Sequence, residues 1–205
     1  MLMDLDKTLA RESIIENYEP SVEHTDFLTS DELEEIWKSA FQQASASTNK
    51  WNRTVFISRD LTHICKKYES RIDEILPRPR IQYGGNFFIT SVGYGLHTDS
   101  YNQTEVKTGG RCIPWRNLLI PLWCDDDGGV IKFYRNRFPT WSVSGTRGAK
   151  GDYTEFRDLE IENEFAWKPK SVYVFDSCQL HESPTHCGNF KLKMGLLIKF
   201  IREVV

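Results

Sequence analysis

His97, Thr98 and Asp99 place an imidazole and a carboxylate two residues apart, and in an extended chain that spacing turns both side chains to the same face. Two ligands for one metal ion become available. His181, just beyond the strand-like run Ser171 to Asp176, could supply a third from a facing strand. Two histidines and one carboxylate on one side of an ion form the facial triad that holds non-haem Fe(II) and leaves its other positions open. An H-x-D string also arises by chance, so the neighbours must carry the argument. Lys191, ten residues after His181, falls on the face of the last strand opposite its apolar stripe, with Lys193 as the rival on the same face. A cation set deep in a β-sandwich beside an iron site would hold the far carboxylate of a dicarboxylic acid. Cys178, His181, His186 and Cys187 also invite a zinc reading, but their spacing fits no common structural zinc pattern and would remove His181 from the triad.

The elements that position these residues must come from a chain of 205 residues that is 40% apolar, 27% charged and 13% aromatic. That composition is globular, and the length supports one sizeable core without disulfide or metal staples. A single domain over 1–205 is expected. With 26 Lys+Arg against 29 Asp+Glu, the net charge of -3 implies no general attraction to nucleic acid or acidic membranes. The longest apolar stretch, Leu118 to Trp123, is far short of the roughly 20 residues a bilayer requires. Met1 to Ala10 carries Asp4 and Asp6 where a signal peptide needs an apolar core, so the expectation is a cytoplasmic protein with no membrane partner. The 5 cysteines include no C-x-x-C pair and are expected as reduced thiols. Sequons at Asn52 and Asn102 carry no weight without secretion.

Residues 1–80 read as helical and 81–205 as strands. Thr29 and Glu32 form a capping box, after which Leu33, Ile36, Trp37, Ala40 and Phe41 recur at helical spacing over about Ser30 to Ala44. A second helix is expected from near Ser58, with Leu61, Ile64, Cys65, Tyr68, Ile72 and Ile75 on one stripe, until Pro77 stops it. From Ile81 onward, short aromatic and β-branched runs alternate with glycines such as Gly84-Gly85 and Gly128-Gly129. Val172, Val174 and Asp176 alternate with their neighbours, as do Leu192, Met194, Leu196, Ile198 and Phe200. The expected fold is α+β and mainly β: a jelly roll with the N-terminal helices packed on one sheet. Arg135 to Glu164 is polar and glycine-bearing, and is expected as loops near a site.

In five places the chain resembles the Fe(II)- and 2-oxoglutarate-dependent dioxygenases, and among them the prolyl 4-hydroxylase-like branch. These are Tyr94 three residues before His97-Thr98-Asp99; Arg116 opening the strand Asn117 to Leu122; Gly128-Gly129 entering Val130 to Phe133; Pro169-Lys170 before the strand leading to His181; and a lysine, Lys191, ten residues beyond it. The resemblance spans about Phe27 to Phe200.

The resemblance implies a cupin-like double-stranded β-helix in which His97, Asp99 and His181 bind Fe(II). 2-Oxoglutarate, as cosubstrate with O2, would chelate the iron and reach Lys191 or Lys193, with Tyr94 and Asn117 also in the cofactor site. It implies hydroxylation of an unactivated C–H bond of an amino acid, peptidyl residue or small metabolite, with release of succinate and CO2. Asp99 at the carboxylate position speaks against halogenation. The resemblance does not name the substrate. Arg135, Arg137, Arg147, Trp141 and Tyr153, in the polar segment, and Tyr101, Asn102 and Gln103, just after Asp99, are candidates to contact it. A metal-binding jelly roll without turnover and a nucleic-acid demethylase of the same superfamily are the alternatives.

Overall fold

The computed structural model describes residues 19–43, 48–51, 54–58, 61–91, 94–99, 112–125, 129–137, 159–183 and 192–203. In chain order its elements are β1 (Val22–His24), α1 (Ser30–Gln43), β2 (Thr48–Trp51), β3 (Thr54–Ser58), α2 (Thr62–Lys67), α3 (Glu69–Ile75), β4 (Ile81–Thr90) and β5 (Tyr94–His97). They continue with β6 (Cys112–Cys124), β7 (Val130–Arg137), β8 (Ile161–Ala166), β9 (Val172–Asp176), β10 (Gln179–Ser183) and β11 (Lys193–Glu203). Among the described residues, a seven-stranded sheet in the order β1-β9-β6-β11-β4-β3-β2 faces a four-stranded sheet in the order β5-β10-β7-β8. Among the described residues every strand pairing is antiparallel. This is the expected jelly roll.

The period-2 alternation of β11 divides the core in two. Met194, Leu196, Ile198 and Phe200 join Leu118, Ile120, Val172 and Val174 against the helices, where Ile36, Ala40, Leu61, Ile64, Tyr68 and Ile72 are buried. Between the sheets lie Phe88, Leu119, Ile131, Phe133, Trp167, Tyr173 and Phe175, with Leu197 packed against them. Lys193, Gly195, Leu197 and Lys199 alternate with the helix-facing stripe and therefore line the inter-sheet side. That row is where polar side chains reach the interior.

The capping box forms as expected. The Thr29 amide donates to Glu32 Oε2 at 2.8 Å and the Glu32 amide to Thr29 Oγ1 at 3.2 Å. Arg71 of α3 grips the same carboxylate at 2.7 and 2.8 Å, tying α3 to the start of α1. Together these hydrogen bonds, Arg71 first, hold Glu32 down to about 2.

Three expectations are corrected. The second helix is two short helices broken at Tyr68, and it starts at Thr62 and not near Ser58, which instead ends a strand, Thr54–Ser58, that pairs with β4. The β-branched and aromatic run Thr54-Val55-Phe56-Ile57 suits a sheet edge better than a helix, and with β2 it extends the larger sheet. Gly84-Gly85 does not separate two strands but lies inside β4. A Cβ at Gly85 would sit 2.4 Å from the Leu197 carbonyl oxygen and 2.5 Å from Leu61 Cδ1, so this glycine marks a close approach of helix to sheet. The polar segment is likewise not all loop, because Arg135–Arg137 ends β7 and Ile161–Ala166 forms β8.

Gly85→Ala should lower the unfolding free energy by about 1–3 kcal/mol. Gly84→Ala, where an added Cβ meets nothing within 4 Å, should change it by less than about 0.5 kcal/mol. Paired denaturant titrations measure both, and equal costs would contradict this reading of β4.

Candidate metal centre

Strands β5 and β10 pair so that His97 and His181 are direct cross-strand partners. Their rings lie 4.3 Å apart between centroids. Asp99 follows β5, its amide donating to the Ser177 carbonyl at 3.2 Å in the turn between β9 and β10. One ligand atom from each of His97, Asp99 and His181 lies within 4.8 Å of the others, and Asp99 Oδ2 is 3.8 Å from His181 Nε2. Among the described residues this is the only such group of histidine, cysteine and acidic side chains.

Each side chain is oriented by its surroundings. His181 is buried against Phe133 and Phe175, with ring centroids 5.8 and 4.9 Å away. Its Nδ1 is 2.9 Å from the Gln179 carbonyl oxygen, which can only accept, so Nδ1 carries the proton and Nε2 offers a lone pair toward Asp99. Burial first, then the charge of His97, pushes His181 down to about 4, so it is neutral near pH 7. On Asp99, Oδ2 accepts from Asn117 Nδ2 at 2.9 Å. Asn117 is fixed in turn by Ser177 Oγ, which donates to its Oδ1 at 2.8 Å. Burial favours the neutral acid, but Lys199, His181 and His97 outweigh it and hold Asp99 down to about 2. The donor set therefore fits a divalent ion: one ionised carboxylate oxygen, one imidazole with a defined tautomer, and a second imidazole opposite it.

A second polar feature lies two residues further along β10. Ser183 and His181 share a strand face, so they stand roughly 7 Å apart along the chain. The Lys193 ammonium, at the start of β11, donates to Ser183 Oγ and lies 4.9 Å from the centre of the Trp167 ring. Lys193 is 1% exposed and has no carboxylate partner among the described residues. Burial pushes it down to about 8. Tyr94 is opposite Ser183 in the β5–β10 register.

The remaining candidates divide sharply. Asn117, expected in the cofactor site, holds the Asp99 carboxylate. Arg137, expected to grip a substrate, is instead 1% exposed and hydrogen-bonded to the Tyr134 carbonyl at 2.6 Å and to Glu162 at 3.4 Å. Gln179 bonds the same carboxylate at 2.6 Å, so this buried group braces the end of β7 against β8 and the start of β10. Arg135 pairs with Glu160 at 2.8 Å on the exterior. Lys191, Tyr101, Asn102, Gln103, Trp141, Arg147, Tyr153, His186 and Cys187 lie outside the described residues, as does the side chain of Tyr94. Ser183, Trp167 and Lys199 escaped the sequence reading. For Lys199 the signal was there, since it shares the strand parity of Lys193.

No protein-family model and no curated protein sequence matches the chain. Solved structures do. A Pseudomonas putida prolyl-4-hydroxylase matches at a TM-score of 0.54 and 13% identity, covering 100% of both chains. HygX from Streptomyces hygroscopicus, solved with nickel and 2-oxoglutarate bound, matches at 0.58 and 11% identity over 95% of this chain and 85% of its own. The α-ketoglutarate-dependent carbocyclase SnoK from nogalamycin biosynthesis matches at 0.61 and 10% identity over 96% and 85%. This chain has their fold. Among the described residues, no helix is long and apolar enough to cross a membrane.

Removing the hydrogen bond that steadies Asp99 tests the centre. Asn117→Ala should weaken divalent-metal binding about 10- to 100-fold in a Mn(II) titration, and unchanged affinity would contradict the assigned support.

Proposed function

We propose that the protein is an Fe(II)- and 2-oxoglutarate-dependent oxygenase that hydroxylates an unactivated C–H bond of an amino acid, a peptidyl residue or a small metabolite. The observation that carries this reading is the pairing of two features in one jelly roll: three converging metal-ligand side chains, and a buried cation on β11, without an acidic partner among the described residues, that meets Ser183 one short step along β10 from His181. His97, Asp99 and His181 would hold the iron. A buried ammonium is costly unless an anion meets it, and a carboxylate from a ligand would do so. The roughly 7 Å from His181 to Ser183 along β10 suits a five-carbon diacid, whose four C–C bonds span about 5 Å. The anchoring cation is then Lys193 and not the ten-residue position Lys191, with Ser183 beside it. The fold shared with a protein solved with nickel and 2-oxoglutarate supports the same ligand pair.

Bound iron supplies the activation of O2 against the cosubstrate, and the chain's own residues do the rest. Neutral His181 needs no deprotonation before it binds metal. Lys193 fixes one end of the diacid so that its other end falls at the metal ligands, with the Trp167 ring 4.9 Å from the ammonium. Phe133 and Phe175 exclude water behind His181. Hydroxylation is proposed as the outcome by resemblance to the prolyl 4-hydroxylase-like branch. One protein of this fold is named a carbocyclase, so the test follows the product as well as turnover.

Succinate release measured with Fe(II), 2-oxoglutarate and O2 against amino acids, peptides and small metabolites should identify a stimulating substrate, whose product gains one atom of 18O from 18O2. Formation of the Fe(II)–2-oxoglutarate charge-transfer band without substrate-stimulated succinate would leave a binding module. No band would refute the proposal.

The cosubstrate affinity should also depend on pH in a defined direction. Lys193 must be protonated to hold a carboxylate, and in the free protein it loses its proton at about 8. Affinity should be flat below that pH and fall by up to about tenfold per unit above it. Lys193→Ala should remove this dependence and weaken 2-oxoglutarate binding at least tenfold while leaving metal binding intact. Calorimetric titrations across pH measure both effects.

A further inference from the structure

The ligand set has an asymmetry that the metal reading does not itself explain. Asp99 has two carboxylate oxygens, and they stand in different surroundings. Oδ2 points toward His181 Nε2, 3.8 Å away, and accepts from Asn117 at 2.9 Å. Oδ1 is turned toward Lys199 Nζ at 3.4 Å, and the same ammonium donates to the Asp99 main-chain carbonyl at 3.1 Å. Lys199 thus reaches both the side chain and the backbone of one residue. Asn117 and Lys199 are cross-strand partners on β6 and β11, so a pair on the large sheet holds the aspartate against the histidine pair on the small one.

We propose that Lys199 is a positioning residue that occupies the outer oxygen of Asp99, so that the aspartate offers the ion only Oδ2 and leaves the remaining coordination positions to the chelating diacid. The inference rests on the metal reading above. A carboxylate free on both oxygens can bind an ion through either or both, and a second bound oxygen would take a place the cosubstrate needs. An ammonium within reach of Oδ1, anchored also on the adjacent carbonyl, keeps that oxygen occupied. With Lys193 at Ser183 and Lys199 at Asp99, the two lysines of one strand face bracket the ligand row, one for the diacid and one for the metal carboxylate.

The test compares wild type, Lys199→Met and Lys199→Arg for Mn(II) affinity, 2-oxoglutarate affinity in the metal-loaded protein, and the ligand-field spectrum of the Co(II) form. Lys199→Met should bind Mn(II) as well as wild type or more tightly. Its 2-oxoglutarate affinity should fall about tenfold or more, and its Co(II) spectrum should shift. Lys199→Arg, which keeps the donor and charge, should recover most of the affinity and the spectrum. Three results overturn the proposal: 2-oxoglutarate affinity and spectrum unchanged in Lys199→Met; metal and cosubstrate binding lost together along with thermal stability in both variants, which marks a structural role only; or no metal binding by wild type, which removes the metal reading as well.

Discussion

A carboxylate taken out of water between two sheets is the constraint on which the rest of the molecule depends. An isolated buried charge costs several kcal/mol; for Asp99 the Lys199 ammonium offsets that cost first, while Asn117 donates to the carboxylate and the two histidine rings stand beside it. Those partners come from different strands of both sheets. The site therefore requires the two cross-strand pairs, His97 with His181 and Asn117 with Lys199, to be in register at the same time. A slip of one residue in β10 or β11 would turn its member of the pair to the opposite face.

The surrounding packing enforces that register. Phe133 and Phe175 close on His181, while the buried contacts of Arg137, Gln179 and Glu162 brace the start of β10, whose Gln179 carbonyl sets the His181 tautomer. On the far side, the helices bury the other face of β11, so its polar row can point only inward. Between the sheets, besides the Arg137–Glu162–Gln179 group, a polar line runs from Lys193 at Ser183 to Lys199 at Asp99. That line combines an anionic end suited to a cation with a cationic end suited to an anion. A dicarboxylate bridging a metal ion and a lysine would satisfy both.

Much of this was legible in the sequence, and the failures have physical causes. His97 and Asp99 were readable because a strand's period of two is local, and His181 because it directly follows an alternating run. For the proposed anchor the spacing left Lys191 and Lys193 open, because counting residues through the connection between β10 and β11 does not reveal that Lys193 is the side chain arriving at Ser183. Lys199 was not singled out: its strand parity marks the face it shares with Lys193, but nothing local reveals a carboxylate contributed by a residue 100 positions away. Arg137 read as a loop cation because its acidic partner Glu162 lies on another strand. Gly85 read as a break because the helix that demands its small size comes from a distant part of the fold.

The most direct measurement is an anomalous-difference map from a crystal of the protein grown anaerobically with Mn(II) in place of Fe(II). One strong peak is expected, bonded to Asp99 Oδ2 and one nitrogen each of His97 and His181. A metal-loaded crystal with its peak elsewhere, or with these three side chains turned away from it, would contradict the account.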